Sequence, residues 1–219
     1  GGGVVGDIAG FCSSIYKRGI KLTHLPTTMT SFVDSCIGGK TGINHFNQVN
    51  FLGTYHQPDS VFIDLRFLKT LNSRDYKSGI VESIKKAIIS EKLFFNFINN
   101  NYRNILELKF EYVQELILKS INSKIYFASQ DVKENYLRLF LNYGHTFGQA
   151  IESFYKINES KLTHGEAVSL GMISASKMQS LLTGDKLIIK EHKEILNKYN
   201  LPIKISDIKK LKKPNINNL

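Results

Sequence analysis

Cysteine is nearly absent from this chain: Cys12 and Cys36 are the only two in 219 residues. So sparse a pair builds no disulfide framework, so the fold has to rest on its apolar core. Both thiols read as small buried apolar residues, and a reducing cytoplasm suits them. Long apolar runs are also lacking; none approaches the roughly 18 residues that a membrane span requires. No signal peptide is legible, because residue 1 is a glycine inside a glycine loop. No heptad pattern or internal repeat occurs, which excludes a coiled coil or solenoid. Acid is in deficit, with 19 Asp and Glu against 29 Lys and Arg and a net charge of +10. That excess could attract nucleic acid or an anionic substrate. Much of it sits in the last third, in Lys186, Lys190, Lys193, Lys198, Lys204 and the run Lys209-Lys-Leu-Lys-Lys213, among Asn and Ile. A solvated basic face accounts for it better than a nucleic-acid surface, so neither nucleic acid nor membrane is expected as a partner.

What is present suffices for one large domain or two small ones, and 42% hydrophobic residues can build a core. Lys21-Leu-Thr-His-Leu25 alternates and then meets Pro26, which reads as a strand, and Asp59–Asp64 reads as a second. A helix is expected from Ile8 to about Tyr16, while Gly38, Gly39 and Gly42 break any helix near Lys40. From Ser73 the period becomes helical. Ile80, Ile84, Ala87 and Ile88 form one stripe, followed by Leu93, Phe94 and Phe97, and Val113, Leu116, Ile117, Ile121 and Ile125 form another. Leu139–Phe154 and Thr163–Leu182 complete the helices, the last opened by a Thr163/Glu166 capping box and closed at Gly184. The expected fold class is α/β plus α: part of a Rossmann-like nucleotide domain in 1–72, then an all-α domain in 73–219. A parallel nucleotide-binding sheet needs several βα units, so its first portion is expected to lie ahead of residue 1.

Three side chains suggest a metal. Glu82, His145 and His164 lie in separate helical segments, and two imidazoles plus one carboxylate are a common ligand set for catalytic zinc. Each histidine alone would more simply be a satisfied structural residue. Glu82 and Lys85 share a helix face, either as a surface ion pair or, among Ile80, Val81 and Ile84, as a partly desolvated pair able to handle protons. Gly1-Gly-Gly-Val-Val-Gly-Asp7 could bring backbone amides against a pyrophosphate, or be an ordinary turn. Asp34 and Lys40 bracket a glycine pair, where backbone and ammonium could both approach a ligand. Lys124, Arg138 and Asn142 precede His145 and would suit an anionic substrate. A metal site following a nucleotide loop suggests redox chemistry on a hydroxyl-bearing substrate.

Taken together, Gly1–Phe11, Pro26-Thr-Thr28, Val33–Asn44, Gln57-Pro58, Leu68-Lys-Thr-Leu71, Asn142-Tyr-Gly-His-Thr-Phe-Gly148 and His164-Gly-Glu-Ala-Val168 resemble the 3-dehydroquinate synthase family of sugar phosphate cyclases. The resemblance runs from residue 1 to about 184. It implies an NAD domain followed by a helical metal domain. By the same resemblance, Glu82, His145 and His164 hold Zn2+ or Co2+. NAD contacts are implied at Gly1, Gly2, Gly3, Asp7, Thr27, Thr28, Phe67, Thr70 and Asp75. Substrate contacts are implied at Asp34, Lys40, Asn50, Lys85, Lys124, Arg138 and Asn142, with Lys40, Lys85, Arg138 and Asn142 in catalytic roles. Arg18 resembles an arginine that reaches a neighbouring subunit's phosphate site in a homodimer. The implied reaction is conversion of 3-deoxy-D-arabino-heptulosonate 7-phosphate to 3-dehydroquinate and phosphate, a cytoplasmic step of the shikimate pathway to aromatic amino acids, with NAD reduced and reoxidised in passing. The sequence departs from the family pattern in three ways. Gln149 stands where a second histidine usually follows His145, Val49 replaces a lysine before Asn50, and the Lys/Asn-rich tail lacks a terminal Asp-Lys-Lys segment. These keep open a cyclase acting on sedoheptulose 7-phosphate or glucose 6-phosphate, a non-catalytic member that retains the fold, or a glycerol-dehydrogenase-like oxidoreductase.

Overall fold

The structure, a computed structural model, describes residues 1–46, 48–157 and 162–208; of Gln48, Val49, Lys156 and Ile157 it describes the backbone only. The basic run Lys209–Lys213 lies outside the described residues, as does the side chain of Val49. The chain forms two compact units, Gly1–Leu141 and Asn142–Leu219.

In the first unit, α1 (Gly3–Ile15) starts directly after the opening glycines, with Gly2 as its N-cap. It thus begins earlier than Ile8, because Gly3-Val-Val-Gly-Asp7 has no proline to stop it. β1 (Thr23–His24) pairs in parallel with β4 (Ser60–Val61) in the register Thr23 with Ser60 and His24 with Val61. Both lie inside the segments read as strands. Asp59 ties them together: its carboxylate accepts from the Leu22 amide at 2.8 Å and its own amide donates to the Leu22 carbonyl at 2.8 Å. An antiparallel hairpin, β2 (Lys40–His45) with β3 (Gln48–Tyr55), was not expected. Its glycines read as breaks, yet Gly42 and Gly53 face each other in register, and the bare Gly53 lets the Thr41 carbonyl come close. Gly10 does the same for α1, where a Cβ would lie 2.4 Å from Thr41 Cγ2.

The helical part of this unit comprises α2 (Ser73–Ile89), α3 (Lys92–Asn100), α4 (Tyr102–Leu106) and α5 (Phe110–Gln130). Asn72 caps α2, accepting from the Asp75 amide at 2.9 Å. α2 is buried all round from Ser78 to Ala87. Ile80, Val81, Ile84, Phe94, Ile98, Ile105 and Leu116 form its apolar surroundings. Each such side chain contributes about 1.5–3 kcal/mol on burial. The Tyr76 hydroxyl donates to the Ile105 carbonyl at 2.7 Å, so this core leaves no stranded phenol.

The second unit holds α6 (His145–Ile157), α7 (His164–Thr183) and α8 (Leu187–Lys198). The segment read as one helix from Leu139 is broken: a 3₁₀ turn over Leu137–Asn142 ends, Gly144 takes a positive φ of 78°, and α6 begins at His145. α7 carries both halves of the expected capping box and ends at Gly184 in the left-handed region. Small residues let α6 and α7 touch backbone to backbone. A Cβ on Gly148 would lie 3.0 Å from the Ala167 carbonyl, and one on Gly171 only 1.9 Å from the Gly144 carbonyl. The Ser169 hydroxyl donates to the Pro202 carbonyl at 2.7 Å, tying the segment after α8 to α7.

Candidate functional site

The glycine loop closes on Pro26-Thr-Thr28. The Thr27 amide donates to the Gly1 carbonyl at 3.0 Å. A Cβ on Gly2 would lie 3.0 Å from the Thr28 methyl, and one on Gly3 3.3 Å from the Ser35 hydroxyl. Gly1, Gly2, Gly3, Thr27 and Thr28 therefore surround the N-terminus of α1, where free amides and the helix dipole favour an anion. Asp7, one turn on, has its carboxyl pushed up to about 6 by burial, which outweighs the nearby Lys124 charge and is aided by Asp34. Phe67 and Thr70 occupy the 3₁₀ turn Leu65–Thr70, where the Thr70 hydroxyl donates to the Phe67 carbonyl at 3.1 Å. Asp75 lies in the first turn of α2, its carboxylate accepting from the Asn72 side chain at 2.6 Å.

Behind this loop lies a dense charge cluster. Asp34 sits on a wide π-type helical turn, Ser31–Ser35, and takes a different ammonium on each carboxylate oxygen. Lys86 lies 2.7 Å from Oδ1 and Lys124 2.9 Å from Oδ2. Lys124 also donates to the Asp34 carbonyl at 2.6 Å, and Lys86 to the Val33 carbonyl at 2.7 Å. Burial alone would raise the Asp34 carboxyl, but Lys124 and Lys86 together hold it well below the usual carboxylate range. Arg138, only 1% exposed, lies over the Tyr55 ring and donates to the Val132 carbonyl at 2.9 Å and the Gly38 carbonyl at 2.7 Å. Among the described residues no carboxylate pairs with its guanidinium, so its charge stays uncancelled. Gly38 lies beside both cations: a Cβ there would meet Arg138 Nη2 at 2.9 Å and Lys124 Cε at 3.5 Å.

Lys40 pairs with Glu134 across the start of the hairpin; burial lowers its pKa and Glu134 opposes the shift. Asn50 takes a φ of 53°, which asparagine tolerates, and its amide donates to the Asn44 side chain at 2.9 Å. Glu82 and Lys85 form an ion pair one turn apart, each side chain 2% exposed, so the surface-pair reading does not hold. Arg18 is exposed in a turn where both Lys17 and Arg18 have positive φ. Asn142 is exposed and ends the 3₁₀ turn before His145.

In the second unit His145 and His164 come together, their ring centroids 5.3 Å apart. Both start helices. His164 Nδ1 lies 2.9 Å from a Glu152 carboxylate oxygen and His145 Nδ1 3.4 Å from the Tyr143 carbonyl. With Nδ1–H donated in each case, each Nε2 becomes the electron-pair donor, as metal-binding histidines require. Tyr143 is itself anchored: its hydroxyl lies 3.0 Å from His192 Nε2, while His192 Nδ1 donates to the Ile188 carbonyl at 2.7 Å. Gln149, one turn after His145, is exposed.

Lys86, Glu152, Glu134 and His192 were not found by sequence reasoning. Glu152 carried a signal, because it follows His145 by seven residues and so shares its helix face. Lys86 had none, since it adjoins Lys85 in a stretch where every residue is buried.

Two family models cover nearly all of this sequence: the N-terminal part of 3-dehydroquinate synthase matches residues 1–78 and the C-terminal part residues 79–217. The chain belongs to the 3-dehydroquinate synthase family. It is similar to the 3-dehydroquinate synthase of Dictyoglomus turgidum, 45% identical over 93% of this chain, and to that of Prochlorococcus marinus, 41% identical over 96%. It spans 57% and 58% of the lengths of those two relatives. Among solved structures, a 2-deoxy-scyllo-inosose synthase complexed with carbaglucose-6-phosphate, NAD+ and Co2+ superposes with a TM-score of 0.87 at 31% identity, covering 98% of this chain and 57% of its own. A 2-epi-5-epi-valiolone synthase from Streptomyces hygroscopicus with NAD+ and Zn2+ bound gives a TM-score of 0.85 at 26% identity, covering 94% of this chain and 57% of its own. This member of the 3-dehydroquinate synthase family thus has the sugar phosphate cyclase fold.

Proposed function

We propose that this chain carries the substrate- and metal-binding residues of a 3-dehydroquinate synthase. The activity would be that of a phosphate-eliminating carbon–oxygen lyase, converting 3-deoxy-D-arabino-heptulosonate 7-phosphate to 3-dehydroquinate and phosphate in the cytoplasm. The observation that carries this reading is the excess of buried positive charge beside Gly38, where Arg138 bonds only to carbonyls and two lysines share one carboxylate.

Arg138 and Lys124 would hold the anionic groups of the sugar phosphate, Arg138 with its guanidinium fork fixed by two carbonyls and a ring. Asp34, with both oxygens already polarised, would accept from a substrate hydroxyl. Lys40, Asn50 and Asn142 would contribute further hydrogen bonds, and Arg18 would serve a neighbouring copy in a homodimer. Glu82, His145 and His164 are the proposed metal ligands. The donor chemistry fits, with two imidazoles 5.3 Å apart between centroids, each with Nε2 available, and a buried carboxylate. A bound Zn2+ or Co2+ would polarise hydroxyl and carbonyl oxygens. Lys85, paired with Glu82, would orient that carboxylate and carry a proton near it. NAD, held by the glycine loop with Asp7, Thr27, Thr28, Phe67, Thr70 and Asp75, would take and return a hydride. The test is phosphate release from the heptulosonate phosphate with NAD and Zn2+ or Co2+ present. Release only from sedoheptulose 7-phosphate or glucose 6-phosphate would move the chain to another cyclase activity, and metal binding without any release would mark a non-catalytic member.

A further inference from the structure

Lys86 is wholly buried, in the middle of α2, and no role follows for it from the family resemblance. A buried ammonium is costly unless it is paired and hydrogen-bonded. This one is both, through Asp34 Oδ1 and the Val33 carbonyl. It cannot reach a solute, because it is 0% exposed, whereas the Asp34 side chain is 25% exposed. Any influence on a ligand therefore passes through Asp34.

We propose that Lys86 is a positioning residue that neutralises Asp34 from behind, so that the charge of Lys124 stays available to an anionic substrate. The inference rests on the proposed site for a sugar phosphate. Its basis is a charge balance. Asp34 and Lys124 alone would be a neutral pair, whereas with Lys86 one carboxylate faces two ammoniums and the trio carries a net positive charge. Burial pulls the Lys86 ammonium down to about 8, against the Asp34 charge that raises it, which keeps it a cation at neutral pH. The trio also accounts for Val49. That position lacks the lysine of the family pattern, and Lys86 supplies a compensating charge from the interior rather than from the pocket wall.

The experiment measures binding of inorganic phosphate by calorimetry to the full chain, unaltered and as Lys86→Met, Asp34→Asn and the double variant. Lys86→Met should weaken binding about tenfold, roughly what one elementary charge is worth at about 10 Å in an effective dielectric constant of about 20. The double variant has the same net charge as the original trio and should bind within about threefold of it, on the same electrostatic scale. Its turnover should not recover, because the Asp34 carboxylate is gone. A purely structural lysine would give a double variant at least as impaired as Lys86→Met, and that result overturns the proposal. So does phosphate binding that ignores Lys86, or no binding by the unaltered chain. If Lys86→Met fails to fold, the double variant, which leaves no unpaired charge, decides alone: binding weaker than the unaltered chain overturns the proposal. Charge-dependent phosphate binding with no phosphate released from the heptulosonate phosphate would retain the role of Lys86 and reject the synthase activity.

Discussion

Arg138 is the residue on which anion binding most depends. Its interior position is tolerable because its ends are bonded to the Val132 and Gly38 carbonyls and its face lies on Tyr55. Lysine would keep the charge but could not span both carbonyls. Arg138→Lys should therefore raise KM for the sugar phosphate by about tenfold or more while lowering kcat less, since losing one charge-assisted bond costs about 1.5–3 kcal/mol. Steady-state kinetics check this, and an unchanged KM would remove Arg138 from the substrate site. Gln149 presents the opposite case, a neutral amide one turn from His145 that cannot titrate. If the synthase chemistry operates, Gln149→His should raise turnover, by as much as ~10²-fold where acid–base help was limiting. A fall would mean that the glutamine serves a different cyclase substrate.

At the scale of elements, the meeting of the two histidines is a consequence of how closely α6 and α7 pack. Gly144, Gly148 and Gly171 remove every Cβ from the crossing, and a methyl at Gly171 would sit 1.9 Å from the Gly144 carbonyl, in the residue just before His145. Gly171→Ala should force that turn away from α7 and part the rings now 5.3 Å apart. Zinc affinity should fall about 10–100-fold, the range typical when support for metal ligands is lost. Gly184→Ala is the control. It costs about 1 kcal/mol of backbone strain at a φ of +76°, with nothing within 4 Å of the new methyl, and should leave zinc affinity unchanged. Equal loss in both variants would point to general destabilisation rather than to the crossing. The same elements show what the sequence made legible. α7 was readable at both ends because Thr163, Glu166 and Gly184 are local signals. The hairpin was not, because its glycines serve tertiary approaches. The α5 stripe was readable only as far as Ile117. Beyond it Ser120 and Lys124 face inward while Ile125 is 48% exposed, because there the buried face carries ligand chemistry instead of packing. Glu82, His145 and His164 stood out by residue type, whereas Lys86 and Glu152 act through contacts that no local pattern encodes.

For the whole molecule, stability as a function of pH should reveal opposing buried groups. His192 is held neutral by burial, although the Ile188 carbonyl and Glu191 pull the other way, and His24 is also lowered, first by burial. A histidine whose folded pKa lies below the ordinary value of about 6.5 stays unprotonated while the unfolded chain takes up a proton. Stability is then full above about pH 6.5 and falls as the pH drops below it, until the folded value is reached. Asp7 has the reverse sign. Its folded carboxyl is raised to about 6, so below that pH the folded state binds the extra proton and gains stability, down to the unfolded value near 3.8. The melting temperature should therefore decline from pH 7.5 to 6 and then flatten towards pH 5. The two variants separate the limbs, His192→Gln weakening the decline and Asp7→Asn removing the flattening so that the fall continues. Calorimetry of both at matched ionic strength checks the assignment, and a profile that neither variant alters would show that neither burial governs the acid response.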